Sequence, residues 1–205
     1  GNAYCHNVNW TGAANGPTWS KSPTWALEMW GDSLIVNPTV TYSITPLLLK
    51  GSNATYMQSS ALLGNFDIDI DKPGGSLTLL TNQNNTTLDF TIRNGAFNAP
   101  GRTLTVGNID NANLVNATSM NISNATITAG LWRYSNTATA HTLNAANSVI
   151  NATTFAATGL SYNIVNVSGT ASNSAVLSSA TIDSLVFTNP SITSAVGING
   201  ASNNL

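Results

Sequence analysis

The sequence predicts an all-β chain wound as a right-handed parallel β-helix, a β-solenoid with irregular coils of roughly 16–22 residues. Three observations lead there. Short runs of alternating apolar and polar residues (SVINATTF, LSYNIVNV and IDSLVF, between Ser148 and Phe187) give strands with one buried face. Clusters of Gly, Asn, Ser and Thr between them supply turns. The runs also recur: Ile150 to Val167 is 17 residues, Val167 to Phe187 is 20, and Leu104 to Met120 is 16. At such a period each coil buries its apolar face by stacking on its neighbours.

The bulk properties agree with that class. The chain has 205 residues, of which 7% are charged, with a formal net charge of -2. That is enough for one domain spanning residues 1–205. The charged fraction is far below the roughly 25% of ordinary domains, so Asn, Ser and Thr must solvate the surface. Without a basic stripe, nucleic acid is not an expected partner. No apolar run approaches the roughly 20 residues of a membrane-spanning helix. Cys5 is the only cysteine, which excludes an intrachain disulfide and a cysteine-built metal site. The chain opens on GNAYC and stops at ASNNL with strand chemistry still running, as expected of a segment of a longer protein.

In chain order, His6, Val8 and Trp10 alternate and are expected on one strand face. Residues 1–30 also hold Trp19, Trp25 and Trp30, with Pro17 and Pro23 interrupting any regular element. Large aromatics there are expected to fill wide, irregular coils. LEMWGDSLIV, TVTYSI and LLLKGS predict three strands with turns at Gly31-Asp32, Asn37-Pro38 and Pro46. Leu34 and Val36 share one face, as do Val40, Tyr42 and Ile44. Asn53 to Leu63 fits either a helical turn or an irregular strand. In NFDIDIDKPGGSLTLL, Asp67, Asp69 and Asp71 point to one strand face and Phe66, Ile68 and Ile70 to the other, before Gly74-Gly75 turns the chain. Asn94-Gly95 and Pro100-Gly101 mark further turns. No stretch holds a 3.6-residue period, so helix is expected to be minor or absent.

The candidate chemistry is sparse. The Asp67, Asp69 and Asp71 row is the acidic cluster a metal would use, but a calcium loop needs turn-forming spacers where this row has isoleucines. The aromatic candidates for stacking on a ligand are Trp19, Trp132 and Tyr134. Asn-x-Ser/Thr triplets at Asn9, Asn53, Asn84, Asn85, Asn116, Asn121, Asn124, Asn151 and Asn166 are read as turns and asparagine ladders in preference to glycan acceptors. His6 and His141, the two histidines, sit in no nucleophile motif, and Glu28 is the sole glutamate. No phosphate-cradling glycine loop is present, and neither catalytic residues nor cofactor is expected.

The residues also resemble a known family. YCHNVNWTGAANGPTW is similar to the C-x-N-x-D-W-T-G-x-x-x-x-P-x-(aromatic) opening of large secreted β-solenoid surface proteins of Bacteroidota. LEMWGDSLIVNPTVTYSITPLLLKGS resembles their L-x-I-x-G-S-L-x-L-x-P-x-M-x-Y stretch, which ends in F-K-G. GGSLTLLTNQ, GAFNAPGRTLTVGNI and VINATTFAATGLSYNIVNVSG continue the likeness in order over nearly the whole chain. Two departures, Asn163-Ile164-Val165 for N-N-V and Ser76-Leu77 where a Trp follows Gly-Gly, keep the in/out alternation. The resemblance implies a long protein exported by the type IX secretion system and acting at the cell surface as adhesin or fibre. The secretion machinery, neighbouring coils, and surface glycans or other cells would be its partners. It also implies O-glycosylation of the Asp-Ser/Thr-apolar kind, with Ser33 and Ser184 as candidates. It carries no catalytic residues across.

The functional expectation is therefore a non-enzymatic extracellular segment of a giant cell-surface protein, a stalk, fibre or adhesin. The alternatives are a polysaccharide-processing β-helix lyase or hydrolase centred on the Asp67–Asp71 row, and a viral or phage fibre segment. Fold alone does not separate them.

Overall fold

The computed structural model describes residues 2–20, 26–37, 39–59, 66–111, 116–135, 141–169, 175–189 and 197–199. Trp25, Pro23, Pro38 and residues 60–63 of the ambiguous stretch lie outside these. The described chain is all-β, without helix, and its strands pair in parallel to form a β-solenoid of about 7 turns. Strand lengths run from Val8–Asn9 to Gln83–Asn98.

Three stacks of strands build the walls. In the first, Leu27, Leu47, Ile68, Phe90, Ile109, Trp132 and Phe155 pair in register from coil to coil, all buried. In the second, Val8, Leu34, Met57 and Leu79 align, as do Leu77, Phe97, Met120 and Leu143. In the third, Leu104, Ile127, Ile150, Val165 and Leu185 align beside Val106, Ala129, Ala152, Val167 and Phe187. Alternation puts every second side chain inside each wall, and the inside of one coil becomes core only through the coil above it.

The coil lengths differ from the expected spacing. Val167 does pair with Phe187, a step of 20. Ile150 pairs with Val165, not Val167, and Leu104 pairs with Ile127, not Met120. Met120 belongs to another wall, where it aligns with Leu143, a step of 23. Steps range from 15 (Val149 to Ile164) to 26 (Val8 to Leu34).

Several local expectations hold and some change. Leu34 and Val36 are both buried. Ile68 and Ile70 point inward, opposite the aspartates. Ala54–Gln58 is a strand, not a helical turn. His6 is exposed whereas Val8 is buried, because the chain turns a corner between the strands Ala3–Cys5 and Val8–Asn9. Pro46 does not end a strand: Thr41–Leu49 runs through it, with the register slipping between Ile44 and Leu47. Gly74 likewise bends the chain within Phe66–Leu79, at a φ of 74° that suits glycine.

The corners explain the abundance of Asn-x-Ser/Thr. Asn9 Oδ1 accepts the backbone N–H of Thr11 (2.8 Å), Asn85 that of Thr87 (3.0 Å) and Asn121 that of Ser123 (3.2 Å). Asn37 does the same for Thr39 (2.9 Å) and Asn144 for Ala146 (3.3 Å). These are Asx turns, in which the short side chain supplies a turn bond that the backbone lacks. Ladders occur too: Asn166 Nδ2 donates to Asn151 Oδ1 at 2.8 Å, and Asn147 Nδ2 to Asn124 Oδ1 at 3.2 Å. Asn124 and Asn147 occupy the same left-handed corner one coil apart, at φ 58° and 55°.

After Thr142–Asn144 the second wall stops among the described residues, since this strand pairs only with Thr118–Asn121. The next coil is the short one. Only Gly159 and Leu160 separate the strands Val149–Thr158 and Ser161–Val167. Tyr162 fills the narrowed interior against Trp132 (centroids 6.2 Å apart) and Phe155 (5.1 Å), and its hydroxyl donates to the Tyr134 carbonyl at 2.8 Å.

Candidate functional site

The acidic row is the natural starting point, because the strand Phe66–Leu79 places Asp67, Asp69 and Asp71 on its outer side as alternation requires. The row does not act as one site. Asp69 is 6% exposed, and its Oδ2 accepts both Nε (2.9 Å) and Nη2 (2.8 Å) of Arg93, one coil on. Asp71 Oδ2 accepts Lys50 Nζ from the preceding coil at 2.5 Å. Among the described residues, no three His, Cys, Asp or Glu side chains converge as a metal site requires.

Asp67 has a different neighbour. It pairs in register with Asp89, and burial, followed by the charges of Asp89 and Asp69, holds its carboxyl above the usual range. Asp89 Oδ2 accepts Asn108 Nδ2 at 2.8 Å. The two carboxylates border a trough of about 490 Å³ with Thr86, Thr87, Asn108 and two glycines. Those glycines form its floor: a Cβ on Gly107 would lie 2.3 Å from Asp89 Oδ1, and one on Gly130 would lie 2.9 Å from the Gly107 carbonyl. Two carboxyls on adjacent coils, one with a raised pKa, are the kind of pair that exchanges a proton with a bound polar group. The sequence offers Asp67 only as one of the row and gives no sign of Asp89, which lies 22 residues away and becomes adjacent only through the coil register.

The aromatic candidates are corrected. Trp132 and Tyr134 are completely buried. Trp132 stacks on Phe155 at 6.5 Å with the planes 9° apart, so its faces are core surface and unavailable to a ligand. Tyr134 donates to the Thr142 carbonyl at 3.2 Å and lies 3.0 Å from Thr118 Oγ1, and burial pushes its hydroxyl up to about 12. Thr118 also contacts His141: its N–H donates to Nδ1 at 3.2 Å, and its Oγ1 lies 2.8 Å from the same nitrogen. A ring nitrogen that accepts an amide N–H is unprotonated, and burial lowers the His141 pKa in agreement. This is an interior network. Trp19 is half-buried against Trp10, with ring centroids 6.0 Å apart.

Of the glycosylation candidates, Ser33 is half-buried, its N–H and that of Asp32 both donating to Asn7 Oδ1 at 3.1 and 2.9 Å. Ser184 is exposed beside Asp183, whose Oδ2 accepts Asn163 Nδ2 at 3.0 Å.

The chain shows no significant match to a family model, a curated protein or a solved structure. No helix among the described residues is long and apolar enough to cross a membrane.

Proposed function

We propose that this chain is a non-enzymatic extracellular segment of a large cell-surface protein, a stalk, fibre or adhesin built from stacked coils. The observation that carries the reading is the continuity of the core. Leu27 to Phe155 form one uninterrupted column, so the molecule is a rod whose length scales with coil number. The surface favours it too. Asx turns and asparagine ladders solvate the exterior, and Asp69 and Asp71 are engaged in ion pairs between coils. The resemblance to exported Bacteroidota solenoids supplies the cell-surface location and the type IX route, with other cells or their glycans as partners. Proteolytic shaving of intact producing cells tests this: peptides of this chain should be released without lysis. Their retention until the cells are broken would exclude surface display.

A polysaccharide-processing enzyme is the second reading, favoured by the Asp67–Asp89 trough. Purified chain and the Asp67→Asn and Asp89→Asn variants, assayed on a panel of polysaccharides, separate the two. Turnover by the parent that either variant abolishes would replace the scaffold with the enzyme.

A further inference from the structure

Among the described tryptophans, Trp30 alone stands open to solvent, 47% exposed, at the corner after the strand Leu27–Met29. Its backbone N–H donates to the Cys5 carbonyl of the preceding coil, and the backbone N–H of Lys50, one coil on, donates in the same way to the Met29 carbonyl, so Trp30 and Lys50 occupy equivalent corners one coil apart. Lys50 Nζ in turn reaches Asp71 at 2.5 Å on the coil beyond. Trp30, Lys50, Gly51, Ser52, Asp71 and Pro73 line a shallow hollow of about 390 Å³. Gly51 leaves one edge of the indole bare: a Cβ there would lie 3.5 Å from Trp30 Cε3.

The lining defines a ligand class. The lining residues bring an indole and a proline ring together with an ammonium, a carboxylate and a hydroxyl. A ligand that matches has a flat face of C–H bonds and a perimeter of hydroxyls that both donate and accept. That describes a pyranose. The volume lies within the roughly 300–1,000 Å³ typical of small-ligand sites, where an apolar surface gives affinity and a few polar groups fix orientation. A polyproline peptide matches less well, since it docks along grooves lined by several aromatics. Tyr4 and Tyr56, the other exposed aromatics among the described residues, do not line this hollow.

We propose that this hollow is a subsite for a pyranose sugar. One C–H face of the sugar rests on the Trp30 indole, and its hydroxyls bond to Lys50 Nζ and the Asp71 carboxylate. The inference goes beyond the scaffold reading, which needs no binding site on this segment, and either can fail without the other.

The test uses the full 205-residue chain carrying 5-fluorotryptophan, with the Trp30 fluorine resonance assigned through Trp30→Phe. The probes are methyl glycosides of glucose, galactose, mannose and N-acetylglucosamine, titrated to about 50 mM, with decaproline as the competing class. At least one glycoside is expected to shift the Trp30 resonance saturably, with a Kd of about 1–10 mM, while the buried Trp132 resonance stays in place. By ligand-detected saturation transfer, Trp30→Ala should weaken binding at least about tenfold and Asp71→Asn by about threefold, with the other tryptophan resonances reporting an intact fold. No glycoside moving Trp30, Trp30 and Trp132 moving together, or decaproline acting where every glycoside fails would each overturn the proposal.

Discussion

Asp69 and Arg93, one coil apart, form a lopsided ion pair: the aspartate side chain is 8% exposed and the arginine side chain 48%, and both Nε and Nη2 converge on a single oxygen. The pair clips the strand Phe66–Leu79 to Gln83–Asn98 from outside, where the inward Ile68 and Phe90 already hold it from within. Removing the exposed partner leaves a buried carboxylate uncompensated, although water reaches the vacated space and softens the loss. Arg93→Ala is expected to cost about 1–2 kcal/mol in denaturant unfolding. Asp69→Asn added to that variant should recover at least half. An Arg93→Ala variant as stable as the parent would show that the pair is ornamental.

Val167 is fully buried, in register between Ala152 and Phe187. Val167→Asp places an unpaired charge inside the stack and should cost about 3 kcal/mol or more. Val186, adjacent to Phe187 but 43% exposed, is the control: Val186→Asp should change stability by no more than about 0.5 kcal/mol. Equal melting temperatures for the two variants would contradict the assigned faces.

His141 makes stability depend on pH. Its folded pKa lies below the ordinary 6.5, so between those values the unfolded chain binds more protons than the folded one. The contribution is complete above pH 6.5 and is lost as the pH falls from there towards the folded pKa. Asp67 acts oppositely: its raised pKa means that stability declines as the pH climbs above 3.8. Urea melts between about pH 7 and pH 5 should therefore show a loss of stability on acidification that His141→Gln flattens. A slope unchanged by His141→Gln would mean that the ring is already charged in the fold.

Lys72 is fully buried, and its Nζ donates to the Lys50 carbonyl at 2.7 Å. Burial lowers its pKa, marking the charged form as disfavoured inside. Lys72→Met keeps the stem and removes the ammonium, leaving one carbonyl without its donor. Replacing a buried charge by an apolar side chain of similar shape is often neutral or stabilising, so a gain of up to about 1 kcal/mol in thermal or denaturant unfolding is expected. A loss of more than about 1 kcal/mol would make the Lys72–Lys50 bond a structural requirement.

Within a single strand, the sequence by itself determined which side chains face in and which face out. Alternation is a property of the single strand, so Leu34 with Val36, Ile68 with Ile70, and the outward row of Asp67, Asp69 and Asp71 are all readable from neighbouring residues. The turn dipeptides are readable for the same reason, since a corner is built by two or three adjacent residues such as Asn121 to Ser123. Only the tertiary structure decided who sits above whom. The step between coils varies from 15 to 26 residues, because corners and loops absorb chain without changing the strand pattern. Local periodicity carries no record of that slack. The register made Asp89 the neighbour of Asp67, gave Arg93 to Asp69 and Lys50 to Asp71, and enclosed Trp132 and Tyr134 between coils. It left Trp30 outside, at a corner where the equivalent residue of the next coil, Lys50, extends its side chain on to Asp71 and the residue after it is Gly51.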